Sequence, residues 1–419
     1  MRYPAYIEKD FSFPQFYRVR LNPPSRAMPD PAGVLEKELV QALDQAGITP
    51  GQTVAVGVGS RGINQISSLV STICQCIRER SAVPFIVPAM GSHGSATPQG
   101  QAMMLAKLGV TPDICNAAIK PEMDAVQVAT VCNEVPVFFS GQALAADHSI
   151  CINRIKPHTK FKGDVESGLY KMMVVGMGKH QGALAYHNNA LKYGFYNLLL
   201  NMGDAVVKNT NLRLGIGVVE DRYDQVMDVQ VIAADKIRET EPLLLKTAKE
   251  NFPSLPYDEL DVLAIRQIGK EISGSGMDPN VTGRTFDLME DDFSGVLNAK
   301  RVVVLDLSAK TCGNAIGLGN ADIITEKVFA DMDYEATLMN ALTSMSLRKA
   351  FTPVRLPTSR KALQAAFQTI GPVAPDDVTA VIIQDTMHTT DFLISQALLE
   401  KTKQLPWVES IEKIDLVLD

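Results

Sequence analysis

The 419-residue chain has only six histidines, so a segment where several gather is a place to look for proton transfer or metal binding. Three of them, His158, His180 and His187, lie close together around Lys171. The central run reads Glu166-Ser-Gly-Leu-Tyr-Lys171-Met-Met-Val-Val-Gly-Met-Gly-Lys-His180-Gln-Gly-Ala-Leu-Ala-Tyr-His187. His180 and His187 are seven apart, which puts them on one face of a helix. Lys171 sits among Gly and Met with no acid beside it in the run. A lysine partly buried in such surroundings is the kind that forms covalent adducts. On spacing alone a plainer reading competes: a solvated lysine at a helix start and a histidine face open to water.

A second set of polar residues follows apolar runs. Arg61 comes after the run that starts at Val54, His93 after the run that ends near Val87, and His158 after the run that ends at Ile155. Each is flanked by Gly or Pro, which suits a backbone that must bend near a ligand. In open α/β sheets ligands bind beyond the carboxyl ends of the strands, so three such residues on successive strand ends should converge on one crevice. Arginine suits a carboxylate because its guanidinium is a planar fork. A lone histidine at a strand end is more often a structural hydrogen-bonding residue, and an arginine there often caps a neighbouring carbonyl. The equivalent placement of all three is what favours a site.

The elements that must position these groups read as α/β. Short apolar runs (Val54–Val58, Val83–Val87, Ser149–Ile155, Asn211–Val219, Asp228–Ala233) alternate with helical stretches, one starting at Thr97-Pro98 with Thr as cap and Pro in the first turn. Val126–Val131 and Val135–Phe139 are further strands. The first forty residues are Pro-rich and read as an irregular wrap before a helix near Val34–Ala46. Residues 178–207 read as mostly helical. Phe252-Pro-Ser-Leu-Pro256 punctuates the chain, which gives expected domains of residues 1–256 and 257–419. In the second, Asp261–Ile268, Arg301–Leu307 and Val378–Gln384 are expected strands, and Ser359–Ile370 and Phe392–Lys401 expected helices. The expectation is two α/β domains, each with a largely parallel sheet flanked by helices, and an active site in the crevice between them.

Composition narrows the partners. The net charge is −7 with no basic block, which argues against nucleic acid. No apolar run approaches the ~18 residues of a membrane span, and the start MRYPAYIEKDF lacks a signal-peptide core. No membrane partner and a cytoplasmic location are expected. The six cysteines, Cys74, Cys76, Cys115, Cys132, Cys151 and Cys312, are scattered with no CxxC pair, so they read as ordinary thiols. There is no P-loop and no HExxH. Gly57-Val-Gly-Ser-Arg-Gly62 departs from the dinucleotide fingerprint, and Ser273-Gly-Ser-Gly276 is not a nucleophile elbow.

Taken in order, Arg61, Gly91-Ser92-His93, Pro157-His158, Lys171 and His187 resemble the motif set of the nickel-dependent lactate racemase family, LarA-like 2-hydroxyacid racemases and epimerases. The resemblance covers most of the chain and is densest from about residue 54 to residue 188. It implies an isomerase with a nickel-pincer nucleotide, a pyridinium-derived mononucleotide joined to Lys171 through a thioamide, its nickel held by two sulfurs and a ring carbon, with His187 as the protein's metal ligand. A soft-sulfur and imidazole set suits Ni(II). The resemblance implies that His93 and His158 are the catalytic acid and base at the hydroxyl, that hydride passes from C2 to the cofactor and back to either face, and that Arg61 holds the carboxylate. It also implies cofactor maturation proteins as partners and a small 2-hydroxy acid as substrate; a homo-oligomer stays open.

Two departures stand out. The family's Ser-Gly-Gly-Arg-Lys run is Ser167-Gly-Leu-Tyr-Lys171 here, without the arginine. After the first strand of the second domain comes Gly269-Lys270-Glu-Ile-Ser-Gly-Ser-Gly-Met-Asp-Pro-Asn-Val-Thr-Gly-Arg284. Lys270 is the topological counterpart of a substrate-contacting lysine, and the polar loop suggests a hydroxylated substrate, a sugar acid such as gluconate, rather than lactate. The loop also reads as a plain connection with turn glycines. Two other functions stay open: a dehydrogenase or lyase using another cofactor, and a nucleotide-binding or carrier module without turnover, which would have no use for His93 and His158.

Overall fold

A computed structural model describes residues 3–60, 62–285, 293 and 296–418. The chain divides into two compact units, Ser25–Phe252 and Met1–Pro24 together with Pro253–Asp419. Both are α/β. The strands, in chain order, are β1 (Phe16–Leu21), β2 (Thr53–Val58), β3 (Val83–Pro88), β4 (Ala118–Ile119), β5 (Ala125–Val131), β6 (Val135–Ser140), β7 (His148–Arg154), β8 (Leu212–Glu220), β9 (Val226–Ala233), β10 (Glu259–Ile268), β11 (Asn298–Leu307), β12 (Ile323–Thr325), β13 (Val354–Leu356), β14 (Ala380–Ile383), β15 (Asp391–Ser395) and β16 (Val408–Ile414). No described helix is long and apolar enough to cross a membrane.

The sheet of the Ser25–Phe252 unit has the order β4-β3-β2-β7-β8-β9. All neighbours are parallel except β8 and β9. Central parallel strands are covered on both faces, which is why β2 (Thr-Val-Ala-Val-Gly-Val) and β3 (Val-Pro-Phe-Ile-Val-Pro) are apolar throughout rather than alternating. The helix Ile66–Glu79 buries Ile66, Leu69, Val70, Ile73 and Ile77, one stripe at helical spacing, together with Cys74 and Cys76. Thr97 caps the helix Pro98–Lys107 by accepting the Gly100 N–H at 3.1 Å, with Pro98 in its first turn; such a cap contributes ~1 kcal/mol. β5 and β6 lie outside this sheet as an antiparallel pair of their own. The chain builds β2, β3 and β4 to one side and returns to place β7 on the other side of β2. The sheet therefore has its switch point between β2 and β7, where the loops after neighbouring strands diverge and leave room for a ligand.

The other unit has an eight-stranded sheet, β13-β12-β11-β10-β14-β15-β1-β16. Five strands, from β13 to β14, are parallel, and β15, β1 and β16 extend it in antiparallel fashion. Two sequence expectations are corrected here. Residues 392–401 read as a helix, but Phe392–Ile394 lie in β15, paired on one side with β14 and on the other with β1, and the helical part starts only at Gln396, with a 3-10 turn to Leu398 and an α-helix over Leu399–Lys403. The first forty residues are not all irregular wrap. Phe16–Leu21 forms β1, in register with β15 and β16, so the start of the chain folds with the residues that follow Pro253. In both cases long-range pairing outweighs local preference.

Candidate active site

The loops after β2, β3 and β7 leave the same edge of the parallel sheet and carry the residues singled out above. Arg61, next after Ser60 in the loop that follows β2, lies outside the described residues. Ser60 itself lies 2.5 Å, Oγ to Nδ1, from the exposed His93 on the loop after β3. A hydroxyl on Nδ1 fixes the plane of the ring. The His93 loop is anchored from below. Buried Gln101 donates to the carbonyls of Gly91 (3.0 Å) and His93 (3.2 Å). Gly91 has φ 58°, and a Cβ there would stand 3.1 Å from the Val175 carbonyl, so the turn needs a glycine. Under the same loop Lys179 is fully buried at φ 55°, its ammonium donating to the Pro88 carbonyl at 2.8 Å. Burial lowers its pKa to about 8, against the pull of Asp124 and Glu122.

His158 lies on the long loop after β7. An antiparallel bridge between Lys156 and Ser167 closes this loop. Inside it, the fully buried Glu166 accepts the backbone N–H of His158 (2.6 Å) and of Gly163 (3.3 Å) and pairs with Lys249 (2.6 Å). The His158 ring is held on three sides. Its Nδ1 accepts the Lys160 N–H at 3.0 Å, its face lies on Phe161 with ring centres 4.5 Å apart, and its Nε2 is 3.0 Å from the Lys171 ammonium nitrogen position.

Lys171 ends a single helical turn, Leu169–Lys171, which runs into a π-helical segment, Met172–Gly176. π-turns are uncommon and recur at functional sites. The turn starts on a buried carboxyl: Glu241 accepts the Tyr170 N–H at 3.0 Å. Burial raises the Glu241 pKa to about 8, against the N–H groups of Tyr170 and Leu169, which lower it. Tyr170 is buried and donates its hydroxyl to Asp204.

His180 and His187 both lie on the helix Lys179–Tyr193. His180 Nδ1 is 3.1 Å from Ser92 Oγ, which ties this helix to the His93 loop. The His187 ring packs edge-on to Phe195 at 6.4 Å between centres, and Phe195 stacks on Phe161 at 5.9 Å. A row of rings thus runs from His158 to His187. The buried Lys160 places its ammonium 4.7 Å over the Phe195 ring. The His187 pKa is lowered to about 4, first by burial and then by the charges of Lys160 and Lys171. Its Nδ1 is buried and has no hydrogen-bond partner among the described residues. Among the described residues no group of three or more His, Cys, Asp or Glu side chains could hold a metal ion.

The structure thus joins His158 to Lys171 directly and to His187 through rings, and places His93 in contact with Ser60. It also shows contributors that sequence reading did not single out, Ser60, Lys160, Lys179 and Glu241. Only Ser60 carried a local signal, as the neighbour of Arg61; Glu166 stood at the head of the Lys171 run but without a role. Lys270 belongs to the other unit, where its amine donates to Asn340 at 2.5 Å. In the loop after β10, Ser273 and Ser275 are buried, and Asp278 accepts the Ser273 hydroxyl (3.4 Å) and the Asn280 N–H (2.9 Å). That unit also holds an unforeseen pair at the end of β14, exposed His388 with Nδ1 2.8 Å from the buried Asp385 carboxylate.

No family model matches the chain, and no curated protein matches it. Solved structures do resemble it, two of them as follows. One is a structural-genomics protein from Thermotoga maritima, 13% identical, covering 65% of this chain and 70% of that one with a TM-score of 0.48. The other is the lactate racemase apoprotein from Thermoanaerobacterium thermosaccharolyticum, 14% identical, covering 88% of this chain and 94% of that one with a TM-score of 0.53. At that identity the likeness is one of fold: a two-unit α/β chain built like the lactate racemase apoprotein.

Proposed function

We propose that this chain is a racemase or epimerase of a 2-hydroxy acid, working with a nickel-pincer nucleotide tethered to Lys171. The observation that carries the reading is the His187 ring, whose buried Nδ1 lacks a partner among the described residues. A buried nitrogen without a hydrogen bond is costly, and a neutral imidazole is a ready metal ligand. A ring that stays neutral down to about pH 4 meets that need. Among the described residues no cluster of metal ligands accompanies His187, and a pincer nucleotide would bring the remaining ligands with it. The residues present fit such a group: Lys171 to tether it, His187 to bind its metal. The fold likeness to a lactate racemase supports the same reading.

When bound, the group would take a hydride from the hydroxyl-bearing carbon and return it. The chain's own residues would handle the proton and the orientation. His93, with Nδ1 on Ser60, would exchange the hydroxyl proton through Nε2. His158 would serve the opposite face through its own Nε2. Arg61, on the loop after β2, would take the carboxylate. The hydroxyls of Ser273 and Ser275 are buried, so the loop that suggested a sugar acid offers less to a substrate than its composition implied, and lactate and gluconate stand as equal test substrates.

The test is to co-produce the chain with the cofactor's maturation proteins, then measure intact mass, nickel content and inversion of lactate and gluconate. A mass increase lost in Lys171→Ala is expected. His93→Ala and His158→Ala should keep that mass and lose about 10²-fold or more in turnover. Nickel-free protein of unmodified mass would overturn the reading. Unchanged turnover in both histidine variants would refute the acid/base assignment, and cofactor uptake with no turnover of either acid would leave a carrier module.

A further inference from the structure

Lys179 has no part in the chemistry proposed above, yet the fold keeps it in an unfavourable place. It is fully buried, which is rare for a lysine. Its backbone is left-handed, with φ 55°, a conformation that a long side chain keeps only when its surroundings determine it. A methionine would fill similar space without burying an amine. What the amine supplies is a donor, and its acceptor is the Pro88 carbonyl at 2.8 Å.

That carbonyl needs a donor because β4 is short. On one side of β3 the ladder to β2 runs to the end of the strand: Val58 pairs with Pro88, and the Ala89 N–H reaches the Val58 carbonyl at 2.7 Å. On the other side β4 pairs with Phe85 and Ile86 and ends at Ile119, and the Lys120 N–H donates to the Ile86 carbonyl at 2.8 Å. Carbonyls two residues apart in a strand point the same way. The Pro88 carbonyl therefore faces the space beyond the end of β4, and Pro88 is buried. A buried carbonyl without a donor is unfavourable. Lys179 Nζ takes the place that the next N–H of a longer β4 would fill. The other end of the contact is held as closely. A Cβ on Gly178 would stand 2.2 Å from the Val174 carbonyl, one on Gly176 2.8 Å from the Ala89 carbonyl, and one on Gly91 3.1 Å from the Val175 carbonyl. The chain that leaves β3 toward His93 is thus seated on the π-helical segment that follows Lys171, and Lys179 holds the last strand residue before that seat.

We propose that Lys179 is a positioning residue that acts through His93. It stands in for the length that β4 lacks, fixes the direction in which the chain leaves β3, and seats the His93 loop against the segment Met172–Gly176. The role of His93 in proton exchange rests on the functional reading above; the seating of its loop does not.

The experiment compares the full chain as wild type, Lys179→Met and Lys179→Gln, first without cofactor, by urea titration and by amide hydrogen exchange resolved on peptides. Met fills the site and donates nothing. It removes the burial penalty of the amine and leaves the Pro88 carbonyl without its donor. These changes oppose each other, so the urea midpoint should stay close to that of wild type. Exchange at Ala89, Gly91 and His93 should become about tenfold faster, while β2 and β7 exchange as before. Gln keeps an N–H donor on a side chain one atom shorter and should fall between the two. If the Met variant does not fold, wild type and Gln carry the comparison. With cofactor loaded, Lys179→Met should keep the tethered mass and the KM for the 2-hydroxy acid and lose about tenfold in kcat. The same change made on His93→Ala should cost nothing more, and on His158→Ala it should cost its full tenfold. Loop exchange unmoved in both variants overturns the proposal. So does faster exchange spread evenly over the sheet with a lower urea midpoint, which would make Lys179 a core residue and nothing else. A kcat loss that persists undiminished on His93→Ala overturns it as well. The functional reading fails differently: a loosened loop in the cofactor-free variants, with no inversion by any loaded protein, would remove the racemase and leave the seating of the loop standing.

Discussion

At the scale of single residues, the site is defined by what each nitrogen lacks or has. Among the described residues His187 Nδ1 lacks a partner, His158 Nδ1 has one in the Lys160 N–H, and His93 Nδ1 has one in Ser60. Sequence showed which residue types gather; it could not show which ring nitrogen is occupied, since the partners are a backbone N–H and a hydroxyl with no signal of their own. The His187 state has a consequence for stability. Its folded pKa of about 4 lies below the ordinary value of 6.5. Between those values the unfolded chain binds a proton that the folded chain does not, so stability falls as pH drops from about 6.5 toward about 4. The full shift would correspond to about 3 kcal/mol, and partial exposure of the residue reduces this to on the order of 1–2 kcal/mol. His187→Phe should therefore lose less stability than wild type between pH 7 and pH 4.5 in urea titrations. His148, whose pKa burial also lowers, keeps acting in both proteins. Equal losses in the two would show that the His187 ring is solvated after all.

At the scale of elements, the short turn that carries Lys171 is a three-residue helix, too short to stand by propensity. It is held by Glu241, which reaches its N–H groups from the helix Ile237–Glu250. The Glu241 carboxyl has a folded pKa of about 8 against an ordinary 4.5. The folded chain thus binds a proton that the unfolded chain lacks, and stability falls as pH rises from about 4.5 to about 8. Glu241→Gln keeps the shape and an accepting oxygen and removes the titration. Its stability relative to wild type should rise between pH 5 and pH 8. Glu241→Ala leaves the Tyr170 N–H unpaired and should cost about 1–3 kcal/mol at pH 5. Chemical denaturation at the two pH values checks both, and a Gln variant with no pH-dependent gain would mean that Glu241 is ionised. The longer elements were readable because apolar periodicity survives in them, as in Ile66–Glu79 and β2. The helix read at 392–401 failed because Phe392, Leu393 and Ile394 suit a buried strand as well as a helix, and only the flanking β14 and β1 decide between them.

At the scale of the molecule, the first strand is a long-range partner. β1 lies between β15 and β16, hydrogen-bonded to both. Removing residues 1–24 would leave two strands with open edges in the sheet of the second unit. Limited proteolysis of that truncated chain should cut within residues 253–419 under conditions where the full chain resists, while 25–252 persists as a fragment. A digestion pattern unchanged from the full chain would show that β1 is dispensable. Sequence alone determined the α/β class, the central strands of both sheets, the placement of His93 and His158 after strands, and the gathering of Lys171 and His187 in one helical run, because alternation, strand-end chemistry and helical spacing are local properties. Tertiary structure alone decided that β1 joins strands almost four hundred residues away, that Glu241 supports a turn seventy-one residues before it, and that His158 lies against Lys171. Those are matters of burial and hydrogen-bond partnership, which arise only when distant parts of the chain are packed together.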